Sequence, residues 1–431
     1  FGSSCHRKRL RFGRGSMSQL RSRSPVRAPA GRQRPEDVRH LGRVRWYSGR
    51  RQVGIVDSDD GRELFVPVGG ARNQNLVPAT FGGLMHGTRV SYKLVNLQDP
   101  DTPSGADACI DVQPVADAYL QKGLECGVET RIGSRAANED RLVANDLYDL
   151  GFLAGIFDGH GGSSCVDYVS QRLPVLLHAA YAERASQVTG GVGALTMGQE
   201  EDLISSAMRD SFIGTDSEWM ETARKEGLRD GSTGLVALLA HGFEALPLAS
   251  TAPGCKGGVA KLFVANCGDC RAILVRSRKA VRLTEDHKPE REDETARIQK
   301  AGGIVIHCVQ TGIYRVGRKK GENRCFLSTS RSFGDPELKE PRPLVISEPE
   351  IVVHTLCPED WAVVLACDGV WGSMSDQEVA DAVWQVMGFK GGGPIEAAQE
   401  VANRSEAAGS TDNVTVLVMR LGWATPPARM M

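Results

Sequence analysis

Beyond residue 117 the chain alternates short apolar runs with longer stretches that have the periodicity of amphipathic helices. Continuous apolar runs of about five residues are typical of buried strands, and apolar positions three and four apart are typical of helices. The candidate strands lie at 153–157, 235–239, 261–265, 362–366 and 414–418. The candidate helices lie at 166–177, 200–212, 292–301 and 376–387. This pattern predicts an α+β or sandwich architecture.

Residues 40–115 show a different pattern, in which short β-prone runs are separated by turn-forming residues. The runs lie at 44–47, 53–56, 64–67, 88–95 and 108–112. Five short strands at this spacing favour a small closed β-barrel. We therefore predict a barrel domain at residues 39–115, an α+β domain at 117–422 and a short tail at 423–431.

The composition is that of a globular protein. Of 431 residues, 41% are hydrophobic and 24% are charged, which excludes collagen, a coiled coil and a wholly disordered chain. No apolar run approaches the ~20 residues that a membrane helix needs, so we expect no membrane partner. Eleven cysteines are too sparse for a disulfide scaffold. We expect a monomer in a reducing intracellular compartment, the cytoplasm or the nucleus.

The total charge of -1 conceals a basic segment and an acidic one. Residues 1–38 carry 10 Lys and Arg against 2 Asp and Glu, whereas residues 116–431 carry 33 against 43. The first 38 residues are rich in Arg, Ser, Gly and Pro and lack apolar periodicity, so we predict a disordered tail. Such a tail can bind nucleic acid, direct the protein to the nucleus or an organelle, or remain a solvated extension without a function.

Acidic residues stand at the ends of three predicted strands. Asp158-Gly159 and Asp368-Gly369 follow two of them, and Asp412 precedes a third. A carboxylate at the end of a buried strand has a rigid base, and a following Gly lets the backbone approach a ligand. Three converging carboxylates repel one another unless a cation lies between them. Oxygen ligands favour Mg²⁺ or Mn²⁺, so the pattern indicates a divalent-metal site.

Nine motifs along residues 120–422 resemble, in the same order, those of the metal-dependent protein Ser/Thr phosphatases of the PPM (PP2C) family. They lie at 135–140, 158–162, 230–233, 266–271, 283–289, 301–303, 327–335, 368–371 and 410–414. One Asp-Gly pair is a weak signal, but nine ordered motifs are specific. The resemblance implies a β-sandwich flanked by helices, with a site for two Mn²⁺ or Mg²⁺ ions at one end.

The resemblance also implies which residues bind the ions. Asp158 would bridge the two, and the carbonyl of Gly159 would bind one of them. Asp368 and Asp412 would bind the other ion. Two divalent ions would activate a water and offset the charge on the phosphoryl group, so no covalent enzyme intermediate is needed.

Four further residues receive roles from the same resemblance. Glu139 and Asp140 would hold metal-bound waters without binding the ions directly. Arg135 would clamp the substrate phosphate, which suits its rigid fork of donors. His160 would be the general acid, because the alkoxide of Ser or Thr is a poor leaving group that benefits from a proton.

One position departs from the family pattern. Gly372 stands where the family has an Asp that is associated, together with the residue matching Asp269, with a weaker third metal. Whether Asp269 takes part in a third metal site is therefore left open. Asp269, Asp286 and Asp335 are interpreted as turn and scaffold carboxylates, and His287 as a structural hydrogen-bonding residue.

These features predict an active protein Ser/Thr phosphatase with phosphoprotein substrates. Two alternatives remain open at this point: a catalytically inactive adaptor that binds nucleic acid, and a small-molecule phosphohydrolase that uses the same metal site. The presence of Arg135 together with the three metal-site aspartates argues against inactivity.

The predicted barrel resembles a cold-shock domain, an OB-type barrel that binds single-stranded RNA or DNA. The resemblance lies in residues 42–47, 54, 59–61 and 65–66. It implies that Trp46, Tyr47 and Phe65 stack on bases, while Arg45 belongs to a basic strip that follows the phosphates. Other binding-face positions of the family are replaced here by Val53, Ile55 and Pro67. The alternative is a barrel that serves protein contacts or domain spacing.

The nucleic-acid hypothesis predicts that Trp46→Ala weakens binding of the chain to a single-stranded oligonucleotide. Loss of one stacking aromatic costs about 1–3 kcal/mol, and the remaining affinity should fall as salt rises. Fluorescence anisotropy at two salt concentrations measures both effects. Equal binding by the variant and the wild type, or no binding by either, would favour the spacer alternative.

Overall fold

The computed structural model describes residues 40–48, 53–58, 62–66, 89–96, 107–114, 124–147, 150–189, 191–192, 195–240, 260–318, 326–357 and 359–421. The proposed tails at 1–38 and 423–431 therefore lie outside the described residues. No helix within the described ranges is long and apolar enough to cross a membrane.

Five strands in the N-terminal part of the chain pair into a closed barrel. They are β1 (His40–Ser48), β2 (Val53–Ser58), β3 (Glu63–Val66), β4 (Arg89–Asn96) and β5 (Asp107–Pro114). The order around the barrel is β1-β2-β3-β5-β4, and only β3 and β5 pair in parallel. The OB-type assignment and the binding of nucleic acid stay predictions, because the side chains of Arg45, Trp46, Tyr47 and Phe65 lie outside the described residues.

The described strands that follow the barrel form two large sheets and one small one. In chain order they are β6 (Glu125–Arg131), β7 (Asp140–Asp146), β8 (Gly151–His160), β9 (Gly231–Ser232), β10 (Gly234–Ala240), β11 (Lys261–Cys267), β12 (Arg271–Arg276), β13 (Lys279–Arg282), β14 (Ile304–Cys308), β15 (Ile313–Gly317), β16 (Phe326–Leu327), β17 (Phe333–Gly334), β18 (Glu350–Thr355), β19 (Asp360–Ala366) and β20 (Val414–Arg420). The first sheet has the order β17-β9-β8-β10-β11-β18, with β7 paired to β8. The second has the order β13-β12-β19-β20-β6, and the small sheet the order β14-β15-β16.

The helices flank these sheets. In chain order they are α1 (Ser164–Ser186), α2 (Met197–Glu226), α3 (Glu292–Lys300), α4 (Pro336–Lys339), α5 (Asp368–Trp371), α6 (Asp376–Trp384), a π-helix (Gln385–Lys390) and α7 (Pro394–Ala407). Local sequence sets the ends of the longest one, α2. Thr196 and Gln199 form a capping box at its start, and Gly227 adopts the left-handed conformation at its end.

Alternating burial along the strands produces four layers. Along β8, Ala154 and Ile156 pack in the core between the two large sheets, whereas Leu153 and Phe157 pack with helices α1 and α2. This follows from the two-residue period of a strand, which points successive side chains to opposite faces. The outer face of the second sheet is covered by α6 and α7 in the same way. The result is a helix–sheet–sheet–helix sandwich.

The predicted elements agree well with this architecture. The five predicted buried strands are confirmed as β8, β10, β11, β19 and β20. The four predicted helices are also present, but α1 and α2 are longer than predicted. The last predicted helix is divided, because the α-helical turns of α6 give way to the π-helix after Trp384.

A buried carboxylate connects helix α3 to the segment that precedes β17. Glu294 is 1% exposed and accepts hydrogen bonds from Arg331 and Arg297, each with a shortest distance of 2.7 Å. Burial alone would raise the pKa of Glu294, but the two guanidinium groups more than offset this and lower it to about 2. The ionised form of Glu294 is therefore the one that stabilises the fold.

We predict that Glu294→Gln lowers the free energy of unfolding at pH 7 by about 3–5 kcal/mol, because the half-buried Arg297 and Arg331 lose the buried carboxylate that they share. The stabilisation should be complete above the ordinary Glu pKa of 4.5 and should fade as the pH drops toward 2. Urea unfolding across this pH range measures it. The control is Asp293→Asn, which removes the neighbouring exposed carboxylate and should cost under about 1 kcal/mol. Equal effects of the two substitutions would contradict the prediction.

Candidate active site

Two of the predicted site residues face each other across one strand pair. Asp140 opens β7, Asp158 lies near the end of β8, and the two are direct partners in the antiparallel ladder. The peptide groups of Asp158 are anchored by Thr233, since the Asp158 N–H donates to Thr233 Oγ1 at 3.0 Å and the Thr233 N–H donates to the Asp158 carbonyl at 2.8 Å. Both carboxylates therefore have a rigid base.

The other two acidic positions come from adjacent strands of the second sheet. Asp368 opens the short helix α5 just after β19, and Asp412 lies just before β20, which pairs with β19. Gly369 allows the two chain segments to meet, because a Cβ atom there would lie 2.0 Å from the carbonyl oxygen of Asn413. The Asn413 side chain accepts a hydrogen bond of 2.9 Å from the Glu139 N–H. This bond connects the segment before β20 to the start of β7.

The carboxylates are close enough to perturb one another. Burial raises the pKa of Asp158 well above its ordinary range, and the charges of Asp140 and Asp368 add to the shift. Burial followed by the charge of Asp269 raises the pKa of Asp368 to about 7. Burial also raises the pKa of Asp140 to about 6, although Thr415 donates a hydrogen bond of 2.6 Å to its Oδ2 atom. The cluster thus carries an electrostatic cost that a cation would relieve.

The donor set fits a hard divalent cation. It consists of carboxylate and carbonyl oxygens, which Mg²⁺ and Mn²⁺ prefer. Asp140 Oδ1 is a buried acceptor without a hydrogen-bond partner among the described residues, as expected of a group that orients a ligand of the site. Among the described residues, no group of three or more His, Cys, Asp or Glu side chains is arranged so that it could hold a metal ion.

Two cysteines lie beneath the carboxylates. Cys270 and Cys367 are buried, and burial raises the pKa of each thiol well above its ordinary value. Cys270 contacts Thr233 Oγ1 at 3.2 Å, and Cys367 accepts the Thr415 N–H at 3.1 Å. Because a thiol must ionise to bind metal, these groups pack as neutral side chains and leave the site to oxygen ligands.

Arg135 lies at the rim of the site. Its side chain is 57% exposed, and Nη2 donates to Asp412 Oδ2 at 2.5 Å. The structure therefore brings Arg135 to the predicted metal-site residues. Its guanidinium group contacts one of the carboxylates and still has donors that face solvent.

His160 lies at the end of β8 and is paired with a residue that sequence reasoning treated as scaffold. Its Nε2 atom is 2.9 Å from each carboxylate oxygen of Asp335. Burial lowers the pKa of His160, but the adjacent Asp335 more than offsets this and raises it. The pair spans 175 positions of the chain, so no local motif could have revealed it.

Asp269 also has a partner that the sequence did not indicate. The carboxylate is 4% exposed and accepts a hydrogen bond of 2.5 Å from Lys288 Nζ. Burial lowers the pKa of Lys288, but Asp269 more than offsets this and raises it. Lys288 thus supplies a fixed positive charge beside Asp269, and a third metal at this residue stays a prediction. His287 is buried and accepts the Gly268 N–H at 3.1 Å, as expected of a structural residue.

The four-layer fold with acidic strand ends is that of PP2C-type phosphatases. It is similar to the crystal structure of serine-threonine phosphatase 2C from Toxoplasma gondii, with a TM-score of 0.56 and 23% identity over 69% of this chain and 94% of that one. It is also similar to a C. elegans sex determining protein, with a TM-score of 0.53 and 22% identity over 69% and 65% of the two chains. At these identities the likeness concerns the fold alone.

Sequence comparison shows the family. Residues 125–414 match the family model described as Protein phosphatase 2C. The chain is 33% identical over 300 residues to Probable protein phosphatase 2C 74 of Oryza sativa subsp. japonica, which covers 68% of this chain and 64% of that protein. It is 32% identical over 297 residues to Probable protein phosphatase 2C 30 of Arabidopsis thaliana, which covers 67% and 64%. The chain spans 64% of the length of these two relatives, and it belongs to the protein phosphatase 2C family.

We predict that Mn²⁺ stabilises the wild-type chain because it relieves the repulsion among the carboxylates. A hundredfold excess over the dissociation constant would add about 2.7 kcal/mol to the free energy of unfolding. Thermal unfolding with and without Mn²⁺ measures the effect, and Asp158→Asn should abolish most of it. The matched control is Asp210→Asn, an exposed carboxylate of α2 that pairs with Arg184. An equal Mn²⁺ shift in all three proteins would contradict this assignment.

Proposed function

We propose that the chain is a metal-dependent protein serine/threonine phosphatase that hydrolyses phosphoserine and phosphothreonine in protein substrates. Membership of the protein phosphatase 2C family supports the reaction class. The observation that carries the proposal is the placement of four aspartates at adjoining strand ends: Asp140 and Asp158 are ladder partners, and Asp368 and Asp412 lie at the adjacent strands β19 and β20. Such a cluster is costly for the fold and useful for binding cations.

Within this proposal, Asp158, the Gly159 carbonyl, Asp368 and Asp412 would hold the two ions. The bound ions would activate a water as the nucleophile and offset the developing phosphoryl charge. Asp140 is suited to orient a water because Thr415 fixes one of its oxygens and leaves Oδ1 free of protein partners among the described residues. Glu139 is held beside Asp140 through the Asn413 hydrogen bond.

The two remaining residues act on the substrate. Arg135 is exposed at the rim, so its guanidinium can leave Asp412 and clamp two phosphate oxygens when cations take over the carboxylate. His160 would protonate the Ser or Thr oxygen as the bond to phosphorus breaks. These roles match the general requirement that a phosphatase bind the phosphate charge and stabilise the leaving group.

The proposal predicts that the wild-type chain releases inorganic phosphate from a phosphothreonine peptide with Mn²⁺ and loses this activity with excess chelator. Asp158→Asn should lower the rate at least about a hundredfold, since it removes the carboxylate that both ions share. Asp210→Asn should keep the wild-type rate. Activity that survives both the chelator and Asp158→Asn would contradict the metal mechanism.

The two alternative functions give different results in the same assay. A small-molecule phosphohydrolase would hydrolyse phosphate monoesters in a metal-dependent manner but would leave phosphoserine and phosphothreonine peptides intact. An inactive adaptor would hydrolyse neither class of substrate although it bound Mn²⁺. The nucleic-acid partner, the intracellular location and the monomeric state stay predictions that this assay does not address.

A further inference from the structure

The His160–Asp335 pair differs from an ordinary surface ion pair in its placement. The Asp335 side chain is 4% exposed, whereas the His160 side chain is 28% exposed. The imidazole therefore has one nitrogen, Nε2, directed at a buried carboxylate, while part of the ring faces solvent at the end of β8. No described residue hydrogen-bonds the other nitrogen, Nδ1.

Ser332 orients the carboxylate of Asp335, and Asp216 holds the backbone that precedes it. Ser332 Oγ donates to its Oδ2 atom at 2.5 Å. Asp335 itself has a φ of 53°, a left-handed conformation that is uncommon for residues other than Gly. The preceding Gly334 N–H donates to Asp216 Oδ1 at 2.8 Å, and Lys339 Nζ donates to the same oxygen at 2.6 Å. Strained backbone that its surroundings enforce in this way is a recurrent feature of functional sites.

Gly231 leaves room for the pair. A Cβ atom at this position would lie 2.3 Å from Asp335 Oδ2 and 2.5 Å from His160 Nε2. Gly231 also pairs with His160 in the β8–β9 ladder. The backbone of β9 therefore packs against both side chains. A larger residue at position 231 would push them apart.

From this geometry we propose that Asp335 is a positioning residue that fixes the Nε2–H form of His160, so that Nδ1 is the atom that delivers a proton to the leaving oxygen. A buried carboxylate that accepts the proton-bearing nitrogen of a His determines both its tautomer and its ring orientation. The inference rests on the proposed phosphatase function, because it concerns the leaving group of that reaction.

The proton balance of the step is simple. Water oxygen forms the new bond to phosphorus, and the bond from phosphorus to the Ser or Thr oxygen breaks with its electron pair on that oxygen. The leaving oxygen takes the proton from Nδ1, and His160 remains neutral with its Nε2–H on Asp335. The proton that the attacking water gives up restores Nδ1 for the next turnover.

A comparison of two substrates tests the proposal. In Asp335→Asn, kcat for a phosphothreonine peptide should fall about 10- to 100-fold, within the range of general-acid effects. For 4-nitrophenyl phosphate, whose leaving group needs no proton, kcat should change less than about threefold. Asp210→Asn should leave both rates unchanged. Equal losses on the two substrates would assign Asp335 a structural or metal-related role and overturn the proposal, as would no loss on either.

A milder variant covers the case in which Asp335→Asn does not fold. Ser332→Ala keeps the carboxylate but removes the hydroxyl that orients it. It should lower kcat for the phosphothreonine peptide by about 5-fold, the loss expected for one hydrogen bond of about 1 kcal/mol, and spare 4-nitrophenyl phosphate. A loss of the same size on both substrates counts against the proposal.

A spectroscopic readout decides the assignment without metal or substrate. Long-range ¹H–¹⁵N correlation spectra of the full chain distinguish the two imidazole tautomers, and His160→Gln identifies the His160 signals. We expect the Nε2–H form in the wild type and a shift toward the Nδ1–H form in Asp335→Asn, where the amide can donate to Nε2. An Nδ1–H form in the wild type would overturn the proposal. If the wild type shows the expected tautomer but hydrolyses no phosphopeptide, the proposed function fails while the pairing stands.

Discussion

Repulsion among carboxylates is the constraint that the rest of the structure depends on. Asp140 and Asp158 are direct partners in the β7–β8 ladder, and like charges opposite each other destabilise a sheet. Asp368, Asp412 and Asp269 add to the same field. A fold can contain such a cluster only if the packing of the strands beneath it stabilises the structure by more than the repulsion destabilises it. The charges are then available to hold cations.

The sandwich supplies that stability. Apolar residues of the two large sheets pack against each other, and the outer faces are covered by α1 and α2 on one side and by α6 and α7 on the other. Close backbone approaches bring the acidic ends together, as at Gly369 beside Asn413. Fixed positive charges relieve part of the repulsion from within the chain, since Lys288 pairs with Asp269 and Arg135 with Asp412. The site combines rigid acidic groups with an exposed arginine and a histidine at its edge.

The sequence predicted those parts of the fold that follow from local pattern. Strands such as β10 and β19 are continuous apolar runs, because both of their faces are buried. Strand β6 was not predicted, since its sequence mixes charged and apolar residues and most of its side chains are half-buried. The residues of the proposed metal site were predicted because their motifs resemble those of a known family. Asp335 was interpreted only as a scaffold carboxylate and Lys288 was given no role, because each pairing depends on chain segments that meet only in the folded protein.

We infer that the acidic cluster holds divalent cations. The most direct test is anomalous X-ray scattering from crystals of the full chain grown with Mn²⁺. We expect two manganese peaks next to the Asp158 carboxylate, one of them within bonding distance of the Gly159 carbonyl and the other near Asp368 and Asp412. Ordered carboxylates without any manganese peak beside Asp158 would show that the cluster does not hold these cations.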